Sequence, residues 1–187
     1  MRSVLFALFL SICPSLAFAA LPTGSAFIAS TGGSCPGSIT TTSCRLATVS
    51  CKNLWDPIAK RTFSADDLTA TLKVTDPSGT AIGAVVFFLG GGSTASYEST
   101  TYGATFVQAA IDAGYRAIQV SWESNSGGGA WRGSPSSTSY GGDGYPDGPL
   151  YGGGCRAATL LRAISEDTTL VPSAGVYLAA GQSGGVV

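Results

Sequence analysis

A serine near the end of the chain has the neighbours of a hydrolytic nucleophile. Residues 181–185 read G-Q-S-G-G, which fits the pattern G-x-S-x-G with Ser183 at its centre. In this pattern a sharp strand-to-helix turn exposes the serine hydroxyl at the edge of a sheet. The apolar run 175–180, which follows Pro172, predicts the strand that this turn needs. We therefore predict that Ser183 attacks an acyl carbon, and the alternative that stays open is a Gly/Ser-rich loop.

A glycine cluster earlier in the chain offers the second part of an acyl-transfer site. Gly91 and Gly92 follow the apolar run 82–89. Acyl transfer builds negative charge on a carbonyl oxygen, and backbone N–H groups already aimed at that oxygen stabilise it. We predict an oxyanion hole made by the N–H group of Gly184 together with that of Gly91 or Gly92. The spacing fits neither the dinucleotide fingerprint nor the P-loop, and a plain turn is the remaining alternative.

The base that such a serine needs is missing from the sequence. Histidine usually takes the serine proton, and the chain contains none. Where this motif joins a strand to a helix, the triad acid and then the histidine follow the serine along the chain. Asp143, Asp147 and Glu166 all precede it. We therefore expect the 187-residue chain to be inactive, and we expect the natural protein to continue beyond Val187.

Five segments have the patterning of β-strands. Period-two alternation or a dense run of apolar, β-branched and aromatic residues predicts strands at 44–53, 68–75, 82–89, 116–122 and 175–180. The run 82–89 is apolar almost throughout, which is typical of a strand that is buried on both faces of a parallel sheet.

Two further segments have the spacing of amphipathic helices. In 104–113 the predicted buried face carries Phe106, Ala109, Ala110 and Ala113. In 156–164 it carries Ala157, Leu160, Leu161 and Ile164. Strands that alternate with helices predict an α/β fold with a mostly parallel sheet and helices on both of its faces.

The stretch 123–154 interrupts this alternation. It holds glycine clusters with aromatic residues among them, at Trp131, Tyr140, Tyr145 and Tyr151. A connection of this length within a domain is either functional or disordered. The aromatic residues could line a substrate cleft, or the stretch could be a solvated insertion, and both interpretations stay open.

With these segments the chain resembles the α/β-hydrolase family. The resemblance rests on F-F-L-G-G-G-S-T for the oxyanion loop, I-Q-V-S-W for the next strand and L-A-A-G-Q-S-G-G for the nucleophile turn, and it covers residues 68–187. It implies the N-terminal part of a hydrolase domain that is truncated after Ser183, and serine-dependent hydrolysis, most often of esters. Leu89 stands where lipase and esterase loops of the H-G-G-G type carry histidine.

The start of the chain has the features of a secretory signal. Residues 1–19 combine a positive Arg2, an apolar core and a small-x-small site before Ala20. The apolar stretch is too short to span a membrane. We predict secretion, with a cysteine-containing arm at 20–67 ahead of the domain at 68–187.

Four cysteines remain after removal of the signal. They are Cys35, Cys44, Cys51 and Cys155, and in an oxidising compartment their default state is disulfide-bonded. Four cysteines allow three pairings, among which the sequence does not choose. Zinc is disfavoured because the spacings are irregular and no histidine accompanies them.

Charge and composition narrow the possible partners. The chain has 10 Lys+Arg and 11 Asp+Glu and no basic run, which argues against nucleic acid or an anionic membrane. The partner that we predict is a small-molecule or acyl-ester substrate, with no cofactor, no metal and no membrane span, and the oligomeric state stays open. The alternative to a serine hydrolase is a secreted, disulfide-bonded, glycine-rich binding or structural protein without catalysis.

Overall fold

The computed structural model describes residues 24–56, 61–89, 95–123 and 148–181. Six strands in these ranges form one sheet: β1 Ser25–Ile28, β2 Ser43–Asp56, β3 Arg61–Thr75, β4 Gly83–Phe88, β5 Arg116–Trp122 and β6 Val176–Gly181. The two α-helices in the same ranges are α1 Gly103–Asp112 and α2 Gly148–Glu166, and a 3-10 turn covers Tyr97–Ser99. The strand order across the sheet is β1-β2-β3-β5-β4-β6.

Most of the sheet is antiparallel. The pairs β1–β2, β2–β3 and β3–β5 are antiparallel, whereas β4 pairs in parallel with β5 and with β6. The long strands β2 and β3 follow each other along the chain and form the most extensive pair. Register shifts interrupt their pairing between Val49 and Cys51 and again between Cys51 and Leu54. Such bulges bend and twist a strand pair, and the sheet curls accordingly.

The predicted fold class is therefore wrong, and so is the architecture implied by the resemblance to α/β-hydrolases. That architecture requires a mostly parallel sheet flanked by many helices, but the described residues form a curled, mainly antiparallel sheet with two α-helices. The physical reason lies in β2 and β3. Their alternation was correctly associated with strands, but alternation does not encode direction, and strands joined by a short connection pair antiparallel.

One face of the sheet is apolar and packs against α2. Side chains at alternate positions of each strand point to the same face. This side carries buried residues of β2 to β5 together with residues of α2, among them Leu72, Val86, Val120, Leu160 and Ile164. This is the main core. The hydroxyl of Tyr177 donates to the Leu161 carbonyl oxygen at 2.9 Å and ties β6 to α2.

The opposite face is divided into two regions. Around β4 it is apolar, because Val85 and Phe87 pack with Val107 of α1. Around β3 and β5 it carries polar side chains instead, including the buried Lys73 and Gln119. The 3-10 turn and residues 34–38 lie over this polar region.

The individual elements differ in how well the sequence predicted them. β4 is confirmed as a strand whose six residues are all buried, and the face predicted for α2 is confirmed at Ala157, Leu160 and Ile164. The face predicted for α1 is wrong at Phe106, which is 59% exposed, whereas Ala110 of that face packs against the cluster that contains the fully buried Val107. Helical spacing fits both faces of this short alanine-rich segment, so it could not decide between them.

The two edges of the sheet are formed by β1 and β6. The strand predicted at 175–180 is present as β6, and it lies at the sheet edge with Val176 and Leu178 exposed. The other edge strand, β1, lies within 20–67, the stretch predicted as a cysteine-containing arm. Of the predicted insertion 123–154, residues 148–154 belong to α2, and 124–147, with Trp131, lie outside the described residues.

The cysteines form two disulfides. Cys35 bonds to Cys44, and Cys51 bonds to Cys155. Both bonds agree with the expectation that the four cysteines are disulfide-bonded, a state whose pairing the sequence left open. The first bond attaches the segment before β2 to the start of β2, and the second attaches β2 to α2 across the apolar face. Two disulfides are compatible with an extracellular protein.

The two disulfides should differ in what they contribute to stability. A bond restricts the unfolded chain more when it closes a longer loop, and the separations are 9 and 104 residues. Loop entropy gives about 2.5 kcal/mol for the shorter loop and about 4.7 kcal/mol for the longer one. We expect the pair Cys51→Ala/Cys155→Ala to lower the free energy of unfolding more than Cys35→Ala/Cys44→Ala, measured by urea denaturation. Equal losses, or a larger loss for the 35/44 pair, would contradict this account.

Candidate functional site

The four residues predicted to carry acyl transfer, Ser183, Gly184, Gly91 and Gly92, lie outside the described residues. The strands that lead to them are described. β4 ends at Phe88 and β6 ends at Gly181. These two end residues are register partners in a parallel pair.

A cleft of about 660 Å³ opens on the polar region of the sheet. Its floor is made by β3 and β5, where Thr71 lies directly opposite Ser121 and Lys73 lies opposite Gln119. One wall is residues 34–38, and the other includes the 3-10 turn. Thr71 and Ser121 are half-buried. The cleft is therefore built on the central strands of the sheet and bordered by the loop that the Cys35–Cys44 disulfide anchors.

A buried ion pair closes one end of this cleft. The Lys73 ammonium lies 2.8 Å from Oε1 of Glu98, and each side chain is 2% exposed. Gln119 donates from Nε2 to Oε2 of Glu98 at 2.9 Å, and its Oε1 accepts the Glu98 backbone N–H at 2.8 Å. Both carboxylate oxygens are thus satisfied. The three side chains bind the 3-10 turn to β3 and β5.

These contacts determine the charge state of Glu98. Burial by itself raises the pKa of this carboxyl, because it disfavours the charged form. The hydrogen bonds from Gln119 and Lys73, the positive charge of Lys73 and the backbone N–H of Ile39 act in the opposite direction and prevail. The net result is a pKa below the ordinary value of 4.5. Glu98 is therefore ionised at neutral pH although it is buried.

Gly37 holds the wall of the cleft against the ion pair. Its φ of 153° lies in a region that side chains rarely adopt. A Cβ atom at this position would collide with the Glu98 carboxylate and the Lys73 ammonium. Only glycine lets the backbone of this wall approach the pair so closely.

The cluster of Lys73, Glu98 and Gln119 was not predicted from the sequence. Lys73 occurs in L-T-A-T-L-K-V-T, where alternation puts it on the side of Thr71 and Thr75, the side expected to face solvent. Gln119 was included in the strand predicted at 116–122 without a role of its own. The signal in the sequence was the recurrence of polar residues at alternate positions, Thr71 and Lys73 in one strand and Gln119 and Ser121 in the other. This pattern indicates a shared polar surface only when β3 and β5 are known to be neighbours.

Comparisons with protein-family models, with curated proteins and with solved structures find no match to this chain. The α/β-hydrolase resemblance therefore has no support from a related protein. Neither helix in the described ranges has the length and apolar character needed to cross a membrane. Within those ranges no three acidic or cysteine side chains are grouped so that they could hold a metal ion.

The ion pair should make stability depend on acid pH. A folded-state pKa below the unfolded value means that ionised Glu98 stabilises the fold. That contribution is fully present above the ordinary pKa of 4.5 and is lost as the pH falls through the lower folded pKa. We expect Glu98→Gln to be less stable at pH 7 by about 3–5 kcal/mol, because it leaves Lys73 buried without its counter-charge. We also expect the variant to lose part of the acid destabilisation, measured by urea denaturation from pH 7 to pH 2.

Glu166→Gln is the matched control, since Glu166 pairs with Arg162 on the exposed surface of α2. Its stability and its pH dependence should stay close to those of the unaltered protein. If Glu98→Gln behaved like this control at both ends of the pH range, the buried pair would have no part in holding the cleft.

Proposed function

We propose that the protein is a secreted serine hydrolase that acts on carboxylic esters, with Ser183 as its nucleophile. The observation that supports this proposal is the arrangement of β4 and β6. They are neighbouring parallel strands, and their end residues Phe88 and Gly181 are register partners. Parallel strands leave a sheet at the same edge, so the segments that contain Gly91 and Ser183 start side by side.

Chain length limits how far these segments can separate. Ser183 follows the end of β6 by two residues, so its Cα lies within about 7.6 Å of the Gly181 Cα. Neighbouring strands are about 4.8 Å apart. A serine hydroxyl and the backbone N–H groups of a glycine loop can therefore converge on one acyl group at this edge.

The chemistry assigned to these residues is acyl transfer. The Ser183 hydroxyl attacks the acyl carbon while a base takes its proton, and the carbonyl oxygen becomes an oxyanion. The N–H group of Gly184, with that of Gly91 or Gly92, donates to this oxygen. The oxyanion then collapses, the ester C–O bond breaks, and the alcohol leaves with the proton that the base had taken. Attack of water on the acyl-serine releases the acid and restores the serine hydroxyl. Histidine, the usual base, does not occur in this sequence of 187 residues.

A second candidate is a secreted, disulfide-bonded binding protein without catalysis. The observation that favours it is the cleft, which combines the volume of a small-molecule site with a lining that includes six hydroxyl-bearing residues. It needs no residue outside the described ranges. Reactivity of Ser183 distinguishes the two candidates, because a binding protein has no reason to activate this hydroxyl.

The test is covalent labelling with a fluorophosphonate, followed by mass-spectrometric mapping of the modified serine. Without a base the 187-residue chain should label negligibly. With added imidazole as an external base, we expect selective labelling at Ser183, because the proposal assigns oxyanion-stabilising N–H donors to this serine. Ser183→Ala should remove the signal, whereas Ser165→Ala, which alters an exposed serine of α2, should leave it unchanged. Labelling spread evenly over exposed serines, with or without imidazole, would overturn the hydrolase proposal and favour the binding protein.

A further inference from the structure

We propose that the cleft between residues 34–38 and the 3-10 turn binds a neutral polyhydroxyl ligand, such as one or two sugar units. The inference is independent of the choice between the two candidate functions, since a hydrolase and a binding protein could both use such a site. It rests on the lining, the charge and the position of the cleft.

The lining is rich in hydroxyl groups. Six of the residues that border the cleft carry one: Ser34, Ser38, Thr71, Ser96, Ser99 and Ser121. A hydroxyl group both donates and accepts hydrogen bonds, so a lining of this kind complements a ligand that itself consists of hydroxyl groups. Thr71, Ser96 and Ser121 are half-buried, so an apolar ligand that displaced their water would leave these hydroxyl groups without partners.

The geometry of the floor holds two of these hydroxyls at fixed positions. Thr71 and Ser121 are directly opposite each other on the antiparallel strands β3 and β5. Side chains opposite each other in such a pair lie about 5 Å apart. Because both strands lie in the interior of the sheet, their hydroxyls need little reordering when a ligand binds, which favours affinity.

The charge of the cleft favours a neutral ligand over an anion. Its charged lining residues are Lys73, Glu98 and Glu123, which gives one positive and two negative groups. The positive charge is already neutralised by Glu98 at 2.8 Å. A carboxylate or phosphate entering the cleft would meet the remaining negative charge of Glu123. The Glu98 oxygens accept from Lys73 and from Gln119, so the ion pair presents a satisfied surface to a ligand.

The size and location of the cleft also suit a small ligand. A volume of about 660 Å³ lies within the range of roughly 300–1,000 Å³ that is typical of small-molecule sites. Ser121 and Glu123 lie at the carboxyl end of β5, and β5 is parallel to β4. The cleft therefore opens at the sheet edge from which the Gly91 segment also departs.

The experiment measures binding of glucose, maltose and cellobiose to the mature Ser183→Ala chain by isothermal titration calorimetry. The alanine variant keeps any hydrolytic reaction out of the measurement. We expect at least one neutral sugar to bind, and its acid derivative, gluconate or the corresponding aldobionate, to bind more weakly. Thr71→Val/Ser121→Ala should weaken binding by about tenfold, because each substitution removes one hydroxyl with little change of shape. Ser165→Ala, on the opposite side of the molecule, should leave the affinity unchanged.

Three results would overturn the proposal: no heat with any of the neutral sugars, tighter binding of the acid derivative, or an unchanged affinity in the Thr71→Val/Ser121→Ala variant. If the double variant does not fold, the binding site is located instead by measuring amide chemical shifts of the Ser183→Ala chain, whose cleft is unaltered, with and without sugar. Sugar-induced shifts must then cluster at Thr71, Ser121 and the 3-10 turn. Shifts elsewhere would refute the assignment to this cleft.

Discussion

The buried ion pair between Lys73 and Glu98 is the constraint on which the polar side of the molecule depends. Each of the two charged side chains is only 2% exposed, so both charges have lost their hydration. This loss is unfavourable unless the two groups lie close together and their remaining hydrogen-bonding atoms are satisfied. Here the distance is 2.8 Å, and Gln119 satisfies the second carboxylate oxygen. The pair thereby fixes the 3-10 turn on the sheet, and Gly37 brings the opposite wall against it.

The apolar face of the sheet, which packs against α2, holds the strands that form the floor of the cleft in place. Leu72 and Val74 point from β3 into the core on the α2 side, while Lys73 between them points to the cleft. A shift of β3 by one residue would exchange these environments and bury the wrong side chains on both faces. The Cys51–Cys155 disulfide joins β2 to α2 on the apolar side. Packing on one face therefore holds in place the hydroxyls and the ion pair on the other.

The sequence predicted local structure better than it predicted arrangement. The apolar run that became β4 and the face of α2 with Leu160 and Ile164 could be predicted, because continuous burial and helical spacing are local patterns. The direction of β3 and its position beside β5 could not, because alternation carries no information about strand partners. The same limit hid the cleft, whose floor joins Thr71 to Ser121 and Lys73 to Gln119 across two strands that are distant in sequence. For the serine site, the motif remains a prediction that only the placement of β4 and β6 supports.

A double-mutant cycle on the ion pair tests the account most directly. The free energy of unfolding would be measured for Lys73→Met, for Glu98→Gln and for the variant with both changes. If the pair organises the polar face, each single change leaves a buried group without its partner, whereas the double change removes both charges together. We expect the double variant to be more stable than the sum of the single losses implies, with a coupling energy of about 3 kcal/mol. Additive losses, with a coupling within about 0.5 kcal/mol of zero, would contradict the claim that this pair holds the cleft together.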